Sequence, residues 1–352
     1  MVPSWAQDGV QGTSAMMVLS SNTSPIPPRV TVIVPTYNGL RYLLPCLAAL
    51  RAQTYRSFAV LVVDDGSTDD TAEILARDYP EVALIRFAQN GGLVRGQNAA
   101  IALCSTEFVA LLNNDTEADP NWLAHLVAAA DAHPTAWAVA GKLLLWDRRD
   151  TLHAAGDGFG TDGVPRNIGV WERDVGQHDA GQWLFGPQGG AAFYRRSALQ
   201  ALSVDNAIGI PFDTYFFMYC EDVDLNWRAN LYGFETAFAP DAVVYHHLSA
   251  TAGGVIASYY VGRNMIAVLV KDVPGALLRR HFGAMMTAQI RFVWQSIWHV
   301  REPAARARLR GQFAVVRILL TLIRSRRTVQ QSRRVTIDAL EAMLYPSVPT
   351  TV

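Results

Sequence analysis

The side chains best equipped for chemistry fall in short clusters, each where an apolar run ends. Pro35-Thr36-Tyr37-Asn38 follows the first run and Asp64-Asp65-Gly66-Ser67-Thr68-Asp69-Asp70-Thr71 the second. A carboxylate ahead of Gly-Ser-Thr and a helix can hydrogen-bond a nucleobase or ribose while Ser67 to Asp69 cap the helix; a capped turn with no ligand uses the same residues. The third cluster, Asn90-Gly91-Gly92 with Arg95 and Asn98 beyond it, pairs glycines that admit close backbone approach with a cation in a helix's first turn. The helix dipole disfavours a cation there, which points to a diphosphate as its partner; a surface arginine is the alternative. Fourth comes Leu111-Leu112-Asn113-Asn114-Asp115-Thr116. A single carboxylate among amides suits Mg2+ or Mn2+, which takes one or two carboxylates and completes its shell with waters and substrate phosphates. An Asx turn opening the next helix is the competing reading of Asp115.

Two later clusters add acid–base candidates. Glu221-Asp222-Val223-Asp224 opens a helix, where acids satisfy the dipole, yet acids crowded together raise one another's pKa and can supply a general base. Tyr245-His246-His247 ends a strand; adjacent residues point to opposite strand faces, so at most one imidazole is expected to complete a metal site.

Strands must carry these clusters to a common edge. Apolar, β-branched runs at 30–34, 60–63, 82–87, 108–112 and 136–140 read as buried parallel strands, with helices at 40–53, 70–78, 92–103 and 120–133 between them. This alternation predicts a doubly wound, mostly parallel α/β sheet, whose ligands bind beyond the carboxyl ends of the strands. Residues 145–187 read as long loops and short strands of the kind that form lids or binding walls, followed by a strand at 189–195, a helix at 222–232 and a strand at 242–246. Beyond Ser258 the chain reads as helical. Met286, Ile290, Val293 and Ile297 share one helical face, as do Phe313, Val316, Leu320 and Ile323.

The net charge of −1 over 352 residues conceals two unlike halves: 16 basic and 27 acidic residues lie in 1–270, but 14 basic and 2 acidic in 271–334. The second stretch favours an anionic surface. Cys46, Cys104 and Cys220 are too far apart for a C-x-x-C motif and are expected as free thiols in a reducing compartment. Residues 1–28 lack the charged and apolar regions of a secretory signal and read as a mobile leader. No run of about 18 apolar residues occurs, so no membrane span is expected.

Taken in order, Val32-Ile33-Val34-Pro35-Thr36-Tyr37-Asn38, Asp64-Asp65-Gly66-Ser67, Asn90-Gly91-Gly92, Leu112-Asn113-Asn114-Asp115, Gly189-Gly190-Ala191, Glu221-Asp222-Val223-Asp224 and Tyr259-Tyr260-Val261-Gly262-Arg263-Asn264 resemble the family 2 glycosyltransferases of GT-A fold, most closely the rhamnosyltransferase branch. The resemblance implies a GT-A domain over 29–265, divided into a nucleotide-binding half (29–142) and an acceptor half (143–265), with a basic helical region over 266–346. It implies inverting, metal-dependent transfer of a sugar from a nucleotide-diphosphate donor, dTDP-rhamnose or a UDP-sugar, to a glycan or lipid-linked acceptor in cell-surface polysaccharide synthesis. Pro35, Thr36, Tyr37, Asn38, Asp65, Arg95, Asn113 and Asn114 would hold the nucleotide sugar. Asp222 would be the base with Glu221 beside it, and Asp115 with His246 would hold Mg2+ or Mn2+. Asn113 replaces the first acid of the family's D-x-D, so one metal-facing charge is lost.

A sugar-nucleotidyltransferase would need a Gly-rich loop with a lysine after the first strand, which Pro35-Thr36-Tyr37-Asn38 is not; a non-catalytic nucleotide-sugar or glycan-binding module would not need both Asp115 and Asp222. A cytoplasmic protein with no nucleic-acid partner is expected. Its basic helices would either lie on an anionic membrane, at the inner face of the plasma membrane, or pack on the catalytic domain or form a homodimer.

Overall fold

The computed structural model describes residues 15–18, 27–181, 184–204, 209–248 and 254–346. Its first half is built from β1 (Ala15–Val18), β2 (Val30–Thr36), α1 (Leu40–Arg51), β3 (Phe58–Asp64), α2 (Thr71–Asp78), β4 (Ala83–Phe87), α3 (Leu93–Leu103), β5 (Phe108–Leu112), β6 (Thr116–Ala118) and α4 (Trp122–Ala132). The second half adds β7 (Ala138–Leu145), β8 (Leu152–Ala154), β9 (Asp157–Phe159), β10 (Pro165–Asn167), β11 (Ala191–Arg195), α5 (Arg196–Ala201), α6 (Glu221–Tyr232) and β12 (Thr236–His246). Five helices follow: α7 (Gly254–Lys271), α8 (Gly275–Arg280), α9 (Phe282–Trp298), α10 (Pro303–Gln331) and α11 (Ile337–Ala342).

The main sheet runs β1-β4-β3-β2-β5-β11-β7-β12-β6. β4, β3, β2 and β5 are mutually parallel, β11 runs antiparallel between β5 and β7, and β12 is parallel to β7. The strand order reverses between β2 and β5, opening the crevice where an open α/β sheet binds ligands. Apolar clusters cover both faces of the sheet. Leu43, Leu47, Leu75, Leu123 and Leu126 of α1, α2 and α4 pack on one, and Val94, Ile101, Leu225 and Trp227 of α3 and α6 on the other. Burial on both faces is why these strands are apolar without alternation.

The structure bears on three expectations. Ala15–Val18, inside the segment read as a mobile leader, is an edge strand antiparallel to β4; the rest of 1–26 lies outside the described residues. The boundary expected at 265 falls inside α7, which continues to Lys271 and packs both along α10 and into the core shared with α6. The large apolar stripes do not pack on the catalytic domain. Ile290, Trp294 and Trp298 of α9 and Phe313, Val316 and Leu320 of α10 are each more than 60% exposed. α10 instead turns a small-residue face to α7: a Cβ on Gly311 would meet the Tyr259 carbonyl at 2.0 Å, and one on Gly262 the Arg308 carbonyl at 2.7 Å. Close backbone approach requires glycine at both positions and directs the bulky side chains outward. No helix among the described residues is long and apolar enough to cross a membrane.

Candidate active site

The turns after β2, β3 and β4 are tied to one another by side chains. Asn38, in a left-handed backbone conformation (φ 48°), donates its N–H to Ser67 Oγ (2.9 Å) and accepts from the Thr68 N–H at Oδ1 (2.8 Å). Buried Asp64 accepts from the Ser67 N–H (2.8 Å). Ser67 and Asp69 therefore join two loops instead of capping α2, which has no side-chain cap; Asp69 accepts from Leu40 N–H and from the Thr71 hydroxyl. Asp65 accepts from the N–H groups of Gly91 (3.0 Å) and Gly92 (2.8 Å) and from Arg95 Nη2 (2.6 Å). Arg95 also donates to the Gln89 carbonyl and lies over the Phe87 ring. The first-turn cation is thus neutralised by Asp65, so the conflict with the helix dipole needs no diphosphate to resolve it. Thr36 accepts from Asn114 Nδ2 (3.0 Å), joining β2 to the turn after β5, while Pro35 is half-buried and the Tyr37 ring is 51% exposed beside them.

Next to that crevice, register brings Asp115 to His246. Thr116 pairs with His246 across β6 and β12, the His247 N–H donates to the Asp115 carbonyl (2.9 Å), and His246 Nε2 lies 3.3 Å from Asp115 Oδ1. His247 points elsewhere: its Nε2 is 3.2 Å from Glu117 Oε1 and its ring stacks on Trp146. His153, which sequence reasoning passed over, faces His246 across a 3.0 Å Nδ1–Nδ1 contact with stacked rings. Burial and the neighbouring imidazole push His153 down to about 4, so it is neutral at pH 7. The donor set of one buried carboxylate and one imidazole fits Mn2+ or Mg2+ only as a partial shell. Among the described residues no three His, Cys, Asp or Glu side chains close on a metal, so substrate oxygens and water would have to complete the shell.

The start of α6 faces the same crevice. Asp222 accepts from the Gly189 N–H (2.9 Å) and the Val223 N–H (2.8 Å). A Cβ on Gly189 would lie 2.8 Å from Asp222 Oδ2, and one on Gly190 would lie 3.6 Å from Asn113 Nδ2. The Asn113 N–H donates to the Gly190 carbonyl (2.9 Å). The Gly189-Gly190 turn therefore separates Asp222 from the Asn113–Asp115 segment by the thickness of one backbone. Glu221 is buried beside Asp222; desolvation first and that carboxylate second raise it to about 8. Burial also raises Asp222. Asp157 of β9, a member of this cluster that sequence reasoning missed, is raised well above the carboxylate range by burial and by Asp222 and Glu221. Its only sequence signal was an acid inside an otherwise apolar Gly-Phe-Gly stretch. Asp224 leaves the cluster: it faces inward, paired with Lys271 (2.5 Å) and Arg228 (2.9 Å).

A strained loop presents this helix start. Phe217, Tyr219 and Cys220 all have φ between 62° and 66°. The buried Asn264 amide donates to the carbonyls of Phe216 (3.0 Å), Met218 (2.9 Å) and Tyr219 (2.7 Å), and Arg263 to those of Tyr215 and Phe216. α7 therefore fixes the backbone that aims Glu221 and Asp222.

Residues 31–203 match the family described as Glycosyl transferase family 2. An N-acetylglucosaminyl-diphospho-decaprenol L-rhamnosyltransferase of Mycobacterium tuberculosis is 29% identical over 262 residues, covering 65% of this chain and 79% of that protein. The chain carries a family 2 glycosyltransferase domain. Two solved structures share its fold. The mannosyltransferase PcManGT from Pyrobaculum calidifontis, in complex with GDP-Man and Mn2+, has a TM-score of 0.52 at 19% identity, covering 91% of this chain and 86% of that one. S. aureus TarS 1-349 in complex with UDP-GlcNAc has a TM-score of 0.52 at 20% identity, covering 86% and 91%. The glycosyltransferase is accordingly of GT-A type, with the mixed, mostly parallel sheet and C-terminal helices already described.

Proposed function

We propose that this glycosyltransferase inverts the anomeric carbon as it moves a sugar from dTDP-rhamnose or a UDP-sugar to a hydroxyl of a lipid-linked or glycan acceptor in cell-surface polysaccharide synthesis. One observation carries the reading: Asp222 and Asn113 flank the Gly189-Gly190 turn, so a general base stands across a single backbone from the donor-side amides. Inversion needs that placement, with the base on the face opposite the leaving diphosphate. Asp222, held by two N–H donors, takes the acceptor proton as the oxygen attacks. Thr36, Tyr37, Asn113 and Asn114 would contact the nucleotide, and Asn38, Asp65 and Arg95 would hold the loops that shape its pocket. Asp115 and His246 would hold Mg2+ or Mn2+, which when bound neutralises charge on the departing diphosphate. The names of the relatives favour the finer choices: the M. tuberculosis enzyme takes a decaprenyl-diphosphate acceptor, and PcManGT was solved with Mn2+.

A lipid-linked acceptor also explains the exposed apolar faces of α9 and α10, flanked by arginines, as a surface for the anionic inner face of the plasma membrane. Co-sedimentation with anionic vesicles that is lost at high salt supports that placement; a salt-independent dimer without vesicle binding refutes it.

The decisive test is Asp222→Asn with a panel of nucleotide sugars. Donor binding should persist while transfer falls by about 10²–10⁴-fold, the usual contribution of a general base. Turnover near that of the parent would refute the assignment. Chelation should abolish transfer, and added Mn2+ or Mg2+ should restore it.

A further inference from the structure

Behind the strained loop, α7, α9 and α10 line an open-sided cavity of about 280 Å³ that the reaction described above does not use. Cys220, the residue before Glu221, forms part of its lining, and Val261, Met265 and Phe292 give it apolar walls. Three polar groups converge on it. Gln312 is 8% exposed with its Oε1 unpartnered, Gln289 Nε2 is buried and unpartnered, and the half-buried Arg308 guanidinium makes no hydrogen bond or ion pair with another described residue. Arg308 also lines a second, more polar cavity of about 320 Å³ that holds Ser258, Ser296 and the His299–Glu302 pair. Buried amides and a guanidinium without partners cost stability unless something binds them. Together they ask for an oxyanion and a hydroxyl beside a hydrocarbon.

We infer that this cavity is the subsite for the phosphorylated, hydrocarbon-bearing part of the acceptor. Arg308 and Gln289 Nε2 donate to phosphoryl oxygens, and Gln312 Oε1 accepts from a hydroxyl of the attached sugar. The walls formed by Val261, Met265 and Phe292 hold the first isoprenoid-like units. The assignment fits the molecule's layout, because the cavity lies between the carboxylates at the start of α6 and the two helices whose outer faces are apolar. It rests on the glycosyl-transfer reading and narrows that reading to an acceptor class.

The experiment titrates the full chain with farnesyl diphosphate, with saturating nucleoside diphosphate and Mn2+ occupying the donor site. Inorganic pyrophosphate and farnesol serve as the separate phosphate and hydrocarbon arms. Farnesyl diphosphate should bind, both separate arms should bind more weakly, and Arg308→Ala should weaken it by about tenfold or more, as loss of a charge-assisted phosphoryl contact predicts. Val164→Trp, which places a large ring in the cavity lining, should abolish binding in a variant whose melting temperature is unchanged. Equal affinity in parent and Arg308→Ala would overturn the inference. So would pyrophosphate binding as tightly as farnesyl diphosphate, or binding that survives Val164→Trp. Release of free nucleotide diphosphate from the sugar nucleotide is followed in parallel. Binding without that release leaves the subsite and sinks the transfer reading; release with Arg308-independent binding does the reverse.

Discussion

On the donor side, Asp65 accepts from two backbone N–H groups and from Arg95, so its charge is spent on holding a glycine loop in place. At the start of α6, half-buried Asp222 accepts from two N–H groups, and its buried neighbours Glu221 and Asp157 are acids. Two residues further along the same helix, Asp224 contacts a lysine and an arginine. Hydrogen bonds and cations stabilise the ionised form, whereas burial among like charges destabilises it. A carboxylate used to shape the backbone is therefore saturated with donors, and the one proposed for proton transfer is left with its basicity raised.

Breaking this contrast at its strongest point means removing Asp224. Asp224→Ala would remove the carboxylate that pairs with both Arg228 and Lys271 and leave Asp272 and Asp213 as their nearest acids. Loss of one partner from a buried charge network typically costs about 3–5 kcal/mol, and urea unfolding should show a loss of that order. Asp222→Asn removes a like charge from the acidic cluster but gives up one of two N–H acceptors, so its unfolding midpoint should stay near the parent's. If Asp222→Asn were the less stable of the two, the division between structural and chemical carboxylates would be misplaced.

The residue types located this helix start without dividing its acids; only the family resemblance singled out Asp222 and Glu221. Glu221, Asp222 and Asp224 share one helical turn, and what separates them is Lys271, 47 residues away on α7. Periodicity does not report such a contact. Asp157 was invisible for the same reason, since β9 approaches α6 only through tertiary packing. The strands after which Thr36, Asp65 and Asn113 stand were legible to within a few residues, because parallel strands buried on both faces leave uninterrupted apolar runs. His246 was separable from His247 by strand alternation alone, although which faces Asp115 required the register of β6 and β12. The placement of the C-terminal helices stayed open between a membrane surface, packing on the catalytic domain and a dimer, because a stripe of large apolar residues looks alike in all three; Gly262 and Gly311 bring the backbones of α7 and α10 together and leave Phe313, Val316 and Leu320 exposed.

Asn264 offers a smaller perturbation that acts on aim and leaves charge unchanged. Asn264→Ala removes one amide that serves three carbonyls in a loop with three left-handed residues. Leaving buried carbonyls without a donor costs about 1–3 kcal/mol, measurable as a lower melting temperature. Asp222 would lose its aim while the donor loops stay tied by Asn38 and Asp65, so kcat should fall with the donor KM unchanged. A rise in donor KM at constant kcat would show that α7 supports the nucleotide pocket instead.

The least disruptive change, Glu221→Gln, tests whether a neutral neighbour is what lets Asp222 stay ionised. Glu221 is raised from 4.5 to about 8 by burial and by Asp222, so the folded state favours its protonated form. Stability from that protonation is complete below pH 4.5 and is lost as the pH rises through about 8. Glutamine cannot ionise, so the variant's melting temperature should decline less than the parent's across that window while the two agree at its acidic end. Transfer by Asp222 should persist, because an uncharged amide beside it imitates the protonated acid. An unchanged pH slope would mean that Glu221 is ionised in the fold, and Asp222 would then have to hold the shared proton and could not serve as the base.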